Sequence, residues 1–81
     1  MLLQTLRGKA KVKYAIADFT SKDPWFLVID GSGWRFESAE RKATSWPSFD
    51  AADAFRQRFA NMNPLISSKL ATVPVHDFRA P

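Results

Sequence analysis

Lys11–Phe19, KVKYAIADF, sets Val12, Tyr14 and Ile16 on one side of the chain and Lys11, Lys13, Ala15 and Ala17 on the other. That two-residue period is the mark of a half-buried β-strand and cannot be laid along a helix. The stretch that follows, Thr20–Pro24 (TSKDP), joins turn-forming polar residues to a proline and reads as a hairpin connection. Trp25–Asp30, WFLVID, is apolar on both faces, so it belongs in the interior of a sheet. Asp30-Gly31-Ser32-Gly33 supplies a tight turn, and Trp34–Glu37, WRFE, alternates again, which makes a second hairpin. Ser38–Ser48 is polar; its Ala43–Trp46 portion either continues the sheet or carries the chain toward a helix.

The helix is announced at Phe49-Asp50-Ala51-Ala52-Asp53-Ala54. With Asp50 as N-cap, Asp53 falls at the third helical position and can return its carboxylate toward the cap, while Phe49 and Ala54 have the spacing of a hydrophobic staple. Both acids suit the positive end of the helix dipole. Phe55, Phe59 and Met62 then form one stripe flanked by Arg56 and Arg58, and Asn63-Pro64 ends the helix near Met62. Leu70–Val75, LATVPV, is a last strand that Pro74 confines to an edge or to a strand end. The expected fold is therefore α+β: a small antiparallel sheet of three to five strands with one packed helix, in a βββαβ-like order.

With 81 residues, 46% of them hydrophobic and 25% charged, the chain is expected to be a single domain over 1–81, with 1–8 and 76–81 as loose termini. It has no cysteine, which removes disulfides, thiolate metal sites and cysteine nucleophiles together and suits a reducing compartment. Its one histidine cannot build a multi-histidine metal site. Leu2, Leu3 and Leu6 are too few for a signal-peptide core, and no stretch approaches the roughly 20 apolar residues of a membrane span, so a cytoplasmic protein without membrane contact is expected.

Enzyme readings lack an inventory. His76-Asp77 has no nucleophile elbow to serve, Gly31-Ser32-Gly33 lacks the third glycine and following helix of a phosphate loop, and Glu37, Glu40, Asp50 and Asp53 have no metal-loop spacing. A non-enzymatic protein without cofactor or metal is the expectation.

Charge points to binding. Arg7, Lys9, Lys11 and Lys13 precede the first acid, Asp18, and from residue 14 onward bases and acids balance, so the whole surplus of +4 lies at the N-terminal end. Such a cluster attracts polyanions or an acidic protein surface, or it protects a solvated edge strand against aggregation. If the helix covers the face of Tyr14 and Ile16, the face of Lys11, Lys13, Ala15 and Ala17 is left open, flat and basic. That open face suits a partner protein, a homodimer or single-stranded nucleic acid, unless the termini fold over it. The residues assigned to partner binding are Arg7, Lys9, Lys11, Lys13, Phe26 and Arg35. Trp25, Trp34 and Trp46 are expected to supply core area ahead of stacking platforms for bases. No RNP-like strand motif, zinc-finger spacing or helix-turn-helix accompanies them.

Two N-terminal hairpins, then Ala43, Phe49 and Asp53-Ala54 leading into one helix, then Val73-Pro74-Val75 in a closing strand, resemble the arrangement of small accessory proteins of bacteriophages and other mobile elements, anti-CRISPR inhibitors among them. The resemblance covers residues 11–75 and transfers no functional residue. It implies a compact inhibitor acting in the host cytoplasm, which binds a host protein or nucleoprotein complex and blocks its activity. The positive net charge departs from the acidic, DNA-mimicking type. A small basic nucleic-acid-binding module is the alternative function.

Overall fold

The computed structural model describes residues 12–65 and 69–76. These form an α+β fold of one four-stranded antiparallel sheet and one α-helix. Strands β1 (Val12–Asp18), β2 (Trp25–Asp30) and β3 (Gly33–Glu37) follow one another as hairpins, a short 3-10 turn spans Glu40–Lys42, helix α1 runs Phe49–Met62, and β4 (Leu70–His76) closes the sheet. The spatial order is β3-β2-β1-β4. As the apolar run WFLVID requires, β2 is internal; Pro74, which has no N–H to give to a ladder, lies in the edge strand β4. His76 ends β4, donating its N–H to Glu40 Oε2 at 3.0 Å, so the strand runs one residue into the stretch expected to be loose.

Each turn has its own chemistry. In the β1–β2 connection the Asp18 carboxylate accepts from the Thr20 N–H and hydroxyl at 2.9 and 2.6 Å. At the β2–β3 turn Asp30 opposes Gly33, whose φ of 123° lies in a region that favours glycine. Asp30 Oδ1 accepts from the Ser32 N–H and hydroxyl, and Oδ2 from Arg35. The Arg35 hydrogen bond, followed by those from Ser32, holds the Asp30 carboxyl down at about 2.

The sheet is continuous on one flank and split at its centre. All seven residues of β1 pair with β4, from Val12–His76 to Asp18–Leu70. Against β2, however, β1 pairs at Ala17–Phe26 and Asp18–Trp25 alone, and then the two strands part. Thr44–Trp46 fills the gap. The Thr44 N–H donates to Leu27 O at 3.0 Å, the Ile29 N–H donates to Thr44 Oγ1 at 2.7 Å, and Tyr14 and Trp46 exchange backbone bonds of 2.9 and 2.8 Å. The polar stretch thus satisfies the inner edges of a split sheet, whose backbone groups are costly to bury unpaired.

Helix α1 starts earlier than the acids suggest. Its N-cap is Ser48, in extended conformation, whose hydroxyl accepts from the Ala51 N–H at 3.1 Å; Asp50 lies inside the first turn. The capping box and staple expected around Asp50 do not form. Phe49 packs edge-on against Tyr14 at 5.9 Å, and Asp53 is turned to another use. Its carboxylate accepts from Arg56 Nε at 2.7 Å, Gln57 Nε2 at 3.0 Å and the Thr72 hydroxyl of β4 at 2.8 Å, pinning the helix to the sheet edge. These bonds, that from Arg56 first, hold the Asp53 carboxyl far below the usual carboxylate range. A carboxyl so depressed contributes stability in full above its unfolded pKa of about 3.9, and that contribution fades as pH falls below this value. Asp53→Asn is therefore expected to lower the urea midpoint clearly at pH 7 and much less at pH 2, in parallel titrations of the two proteins. Equal losses at both pH values would mean that the charge of Asp53 contributes nothing.

Two apolar clusters lie on opposite faces of the sheet. Ile16 and Leu27, both fully buried, join Phe59 and Leu70 under the helix, with Ile29, Phe36, Trp46 and Phe55 around them. On the other face Ala15, Ala17, Phe26 and Val75 are buried together, and Ala43, brought across by the segment after the 3-10 turn, packs on them with Val73. The face expected to be open is thus closed. Phe26, 8% exposed and expected at a partner contact, is a core residue of that face. The alanines explain the closure: small side chains let a crossing segment approach the sheet closely.

Candidate interaction surface

A line of aromatic rings leads from the helix to the outer edge of the sheet. Trp46 lies 5.2 Å from Phe55, Phe55 stacks on Phe59 at 6.2 Å, and Phe59 meets Trp34 and Phe36 of β3 edge-on at 4.9 and 6.4 Å. Edge-on and offset geometries suit the quadrupoles of these rings. Trp34 ends the line at a sheet edge, so one side of its indole rests on Phe59 while 49% of the residue stays exposed.

Trp34 forms one wall of an open groove of about 370 Å³ that, among the described residues, Met62, Asn63, Pro64 and Leu65 also line. The groove follows from how the helix ends. Asn63 caps it, donating from its side-chain amide to Phe59 O at 2.9 Å and from its N–H to Ala60 O at 3.2 Å, and Pro64 cannot extend it. The apolar stripe leaves the sheet at that point. Ala52 and Phe59 are buried and Phe55 half-buried, but Met62, expected in the same stripe, is 79% exposed, and Leu65 just past the stop is 98% exposed. The buried core under the helix ends at Phe59, and Met62 stands outside it. Four apolar or largely apolar side chains thus gather in one exposed place, where scattered single ones would need no explanation. Beside them, one turn back along the helix, Arg58 places its guanidinium over the Phe55 ring at 5.7 Å.

Other exposed apolar residues lie apart. Phe19 and Trp25 flank the β1–β2 connection, and Val12 lines a smaller groove of about 250 Å³ with Glu40, Pro74, Val75 and His76. Among the described residues no group of three His, Cys, Asp or Glu side chains could hold a metal ion, and no helix is long and apolar enough to cross a membrane.

Of the residues assigned to partner binding from sequence, the three that are described do not come together. Arg7, Lys9 and Lys11 lie outside the described residues, Lys13 is half-buried on β1, Phe26 is in the core, and Arg35 is on β3 at the far side of the sheet order from β1. Arg35 is engaged: NH1 donates to Asp30 Oδ2 at 2.7 Å and Nε to Glu37, which Lys42 also approaches at 3.6 Å. Both acids raise the Arg35 guanidinium above its ordinary value. Arg56 is likewise held by Asp53. The described body is near charge balance, with eight bases against seven acids, so three of the four surplus charges belong to Arg7, Lys9 and Lys11, while Arg79 and Asp77 cancel. No family model, curated protein or solved structure matches the chain.

Proposed function

We propose that this chain is a non-enzymatic interaction protein that receives a partner protein in the groove of Trp34, Met62, Pro64 and Leu65. The carrying observation is the exposure of Met62 and Leu65 beside a half-exposed tryptophan that rests on the core. A protein interface combines an apolar, aromatic centre with a polar rim, and here Asn63 supplies a polar group within the apolar lining. In keeping with the resemblance to mobile-element inhibitors, the partner is a component of a host protein or nucleoprotein complex in the cytoplasm, and occupying its surface blocks its activity. The basic N-terminal segment speeds encounter with an acidic partner.

Arginines of the described body speak against the alternative of a nucleic-acid module, since Arg35 and Arg56 are already committed to carboxylates. A module that neutralises several phosphates loses affinity steeply as salt rises. Titration with random single- and double-stranded oligonucleotides is expected to give weak binding at low salt, from Arg7, Lys9, Lys11 and Lys13, and almost none near physiological salt. Micromolar or tighter binding that persists there, and is lost in a folded Trp25→Ala or Trp34→Ala variant, would replace this function with nucleic-acid recognition by stacking.

A further inference from the structure

Strand β3 has β2 on one side and, among the described residues, no strand on the other. It contains no proline, unlike the opposite edge β4, so it keeps every N–H that another strand would need. Its side chains alternate cleanly. Trp34 and Phe36 meet Phe59 on the helix side, and Arg35 and Glu37 pair with each other on the opposite side.

We propose that two copies of this chain associate by antiparallel pairing of their β3 strands, with the two-fold axis at Phe36. Charge selects the partner and the register. With Phe36 opposite Phe36 of the second copy, Arg35 of each copy faces Glu37 of the other, giving two opposite-charge cross-strand pairs. Centring on Arg35 would set two guanidinium groups opposite each other. Centring on Trp34 would set Arg35 against Gly33, and a one-residue slip would turn the aromatic side of one copy toward the charged side of the other. Charges on a short edge strand ordinarily keep copies apart. Here their alternation in sign makes the strand its own complement, and each Arg35 already shares its charge with Asp30 and Glu37. The association is isologous and closes at two, because each copy offers a single such edge. It puts both helices on one side of a continuous sheet.

Sedimentation over a concentration series tests this. The wild-type mass is expected to rise from 9.2 kDa toward twice that value as concentration increases. Arg35→Glu and Glu37→Arg each place like charges across the axis, and each is expected to raise the dimerisation midpoint at least about tenfold. An equimolar mixture of the two should restore association near the wild-type level, since each variant then complements the other. Met62→Glu, which alters the groove, should leave self-association in place. In the wild type, amide exchange in β3 should slow as concentration rises, a readout that requires no substitution. A wild type that stays at 9.2 kDa throughout overturns the proposal. Self-association that both charge variants retain, or that slows no β3 amide, places the contact elsewhere and overturns it equally. A mixture that fails to recover overturns the register at Phe36.

Discussion

Phe59→Ala is expected to lower stability by about 3 to 5 kcal/mol, the range for removing a large aromatic side chain from a core. Phe59 is the junction of the aromatic line, touching Phe55 within the helix and both Trp34 and Phe36 of β3, and it is 6% exposed. Its loss removes apolar burial and leaves a space under the helix that three rigid rings cannot readily fill. Small domains have only about 5 to 15 kcal/mol in hand, so this single change threatens folding. The same change frees the inner side of Trp34, so tryptophan emission should shift toward that of a solvated indole before the main unfolding transition. A loss below about 1 kcal/mol in urea titration would mean that the helix is held to the sheet by other contacts.

Leu27→Ala is expected to cost about 2 to 5 kcal/mol and to act on a different element. Leu27 is fully buried at the point where β1 and β2 have parted, and its carbonyl accepts the N–H of Thr44. A cavity there undermines both the helix-side cluster and the wedge of Thr44–Trp46. Hydrogen exchange at Thr44, Trp46 and Ile29 should therefore quicken more than exchange along the β1–β4 ladder, which is paired over its full length. Uniform acceleration across the sheet would show that the wedge has no separate stability.

Side-chain period made the strands legible. KVKYAIADF alternates, and the structure puts Ile16 under the helix and Ala15 and Ala17 on the reverse face, as that alternation demands. WFLVID is apolar on both sides and lies inside the sheet. The helix stop at Asn63-Pro64 was equally plain, because proline cannot continue a helix. The start, read from sequence at an Asp50 cap, lies two residues earlier: Ser48 is an equally good cap, and there Phe49 gains Tyr14 and Asp53 gains Thr72. Ser38–Ser48 was opaque for a different reason. It is held by backbone groups and one threonine hydroxyl, and such bonds leave no periodic trace in a sequence.

The candidate site was hidden by the same logic that revealed the helix. Assigning Met62 to the apolar stripe makes it a core residue, whereas the stripe leaves the core after Phe59. A signal was present in Leu65: an apolar residue one place beyond Asn63-Pro64 has no helical face to join, so it and its neighbour Met62 are candidates for exposure. Trp34 carried the converse ambiguity. An edge-strand tryptophan both packs and protrudes, and residue type alone does not separate the two.

Protein binding in the groove of Trp34, Met62, Pro64 and Leu65 is the proposed function. Affinity capture from the lysate of the organism that carries this chain, with the wild type and a Met62→Glu/Leu65→Glu variant as parallel baits and quantitative mass spectrometry as the readout, tests it most directly. Both substitutions are at exposed positions, so the variant should keep the wild-type circular dichroism. The expected result is a defined protein component that is enriched by the wild type, survives nuclease treatment and is lost with the variant. Material that disappears on nuclease treatment, or that the variant captures as well as the wild type does, would contradict it.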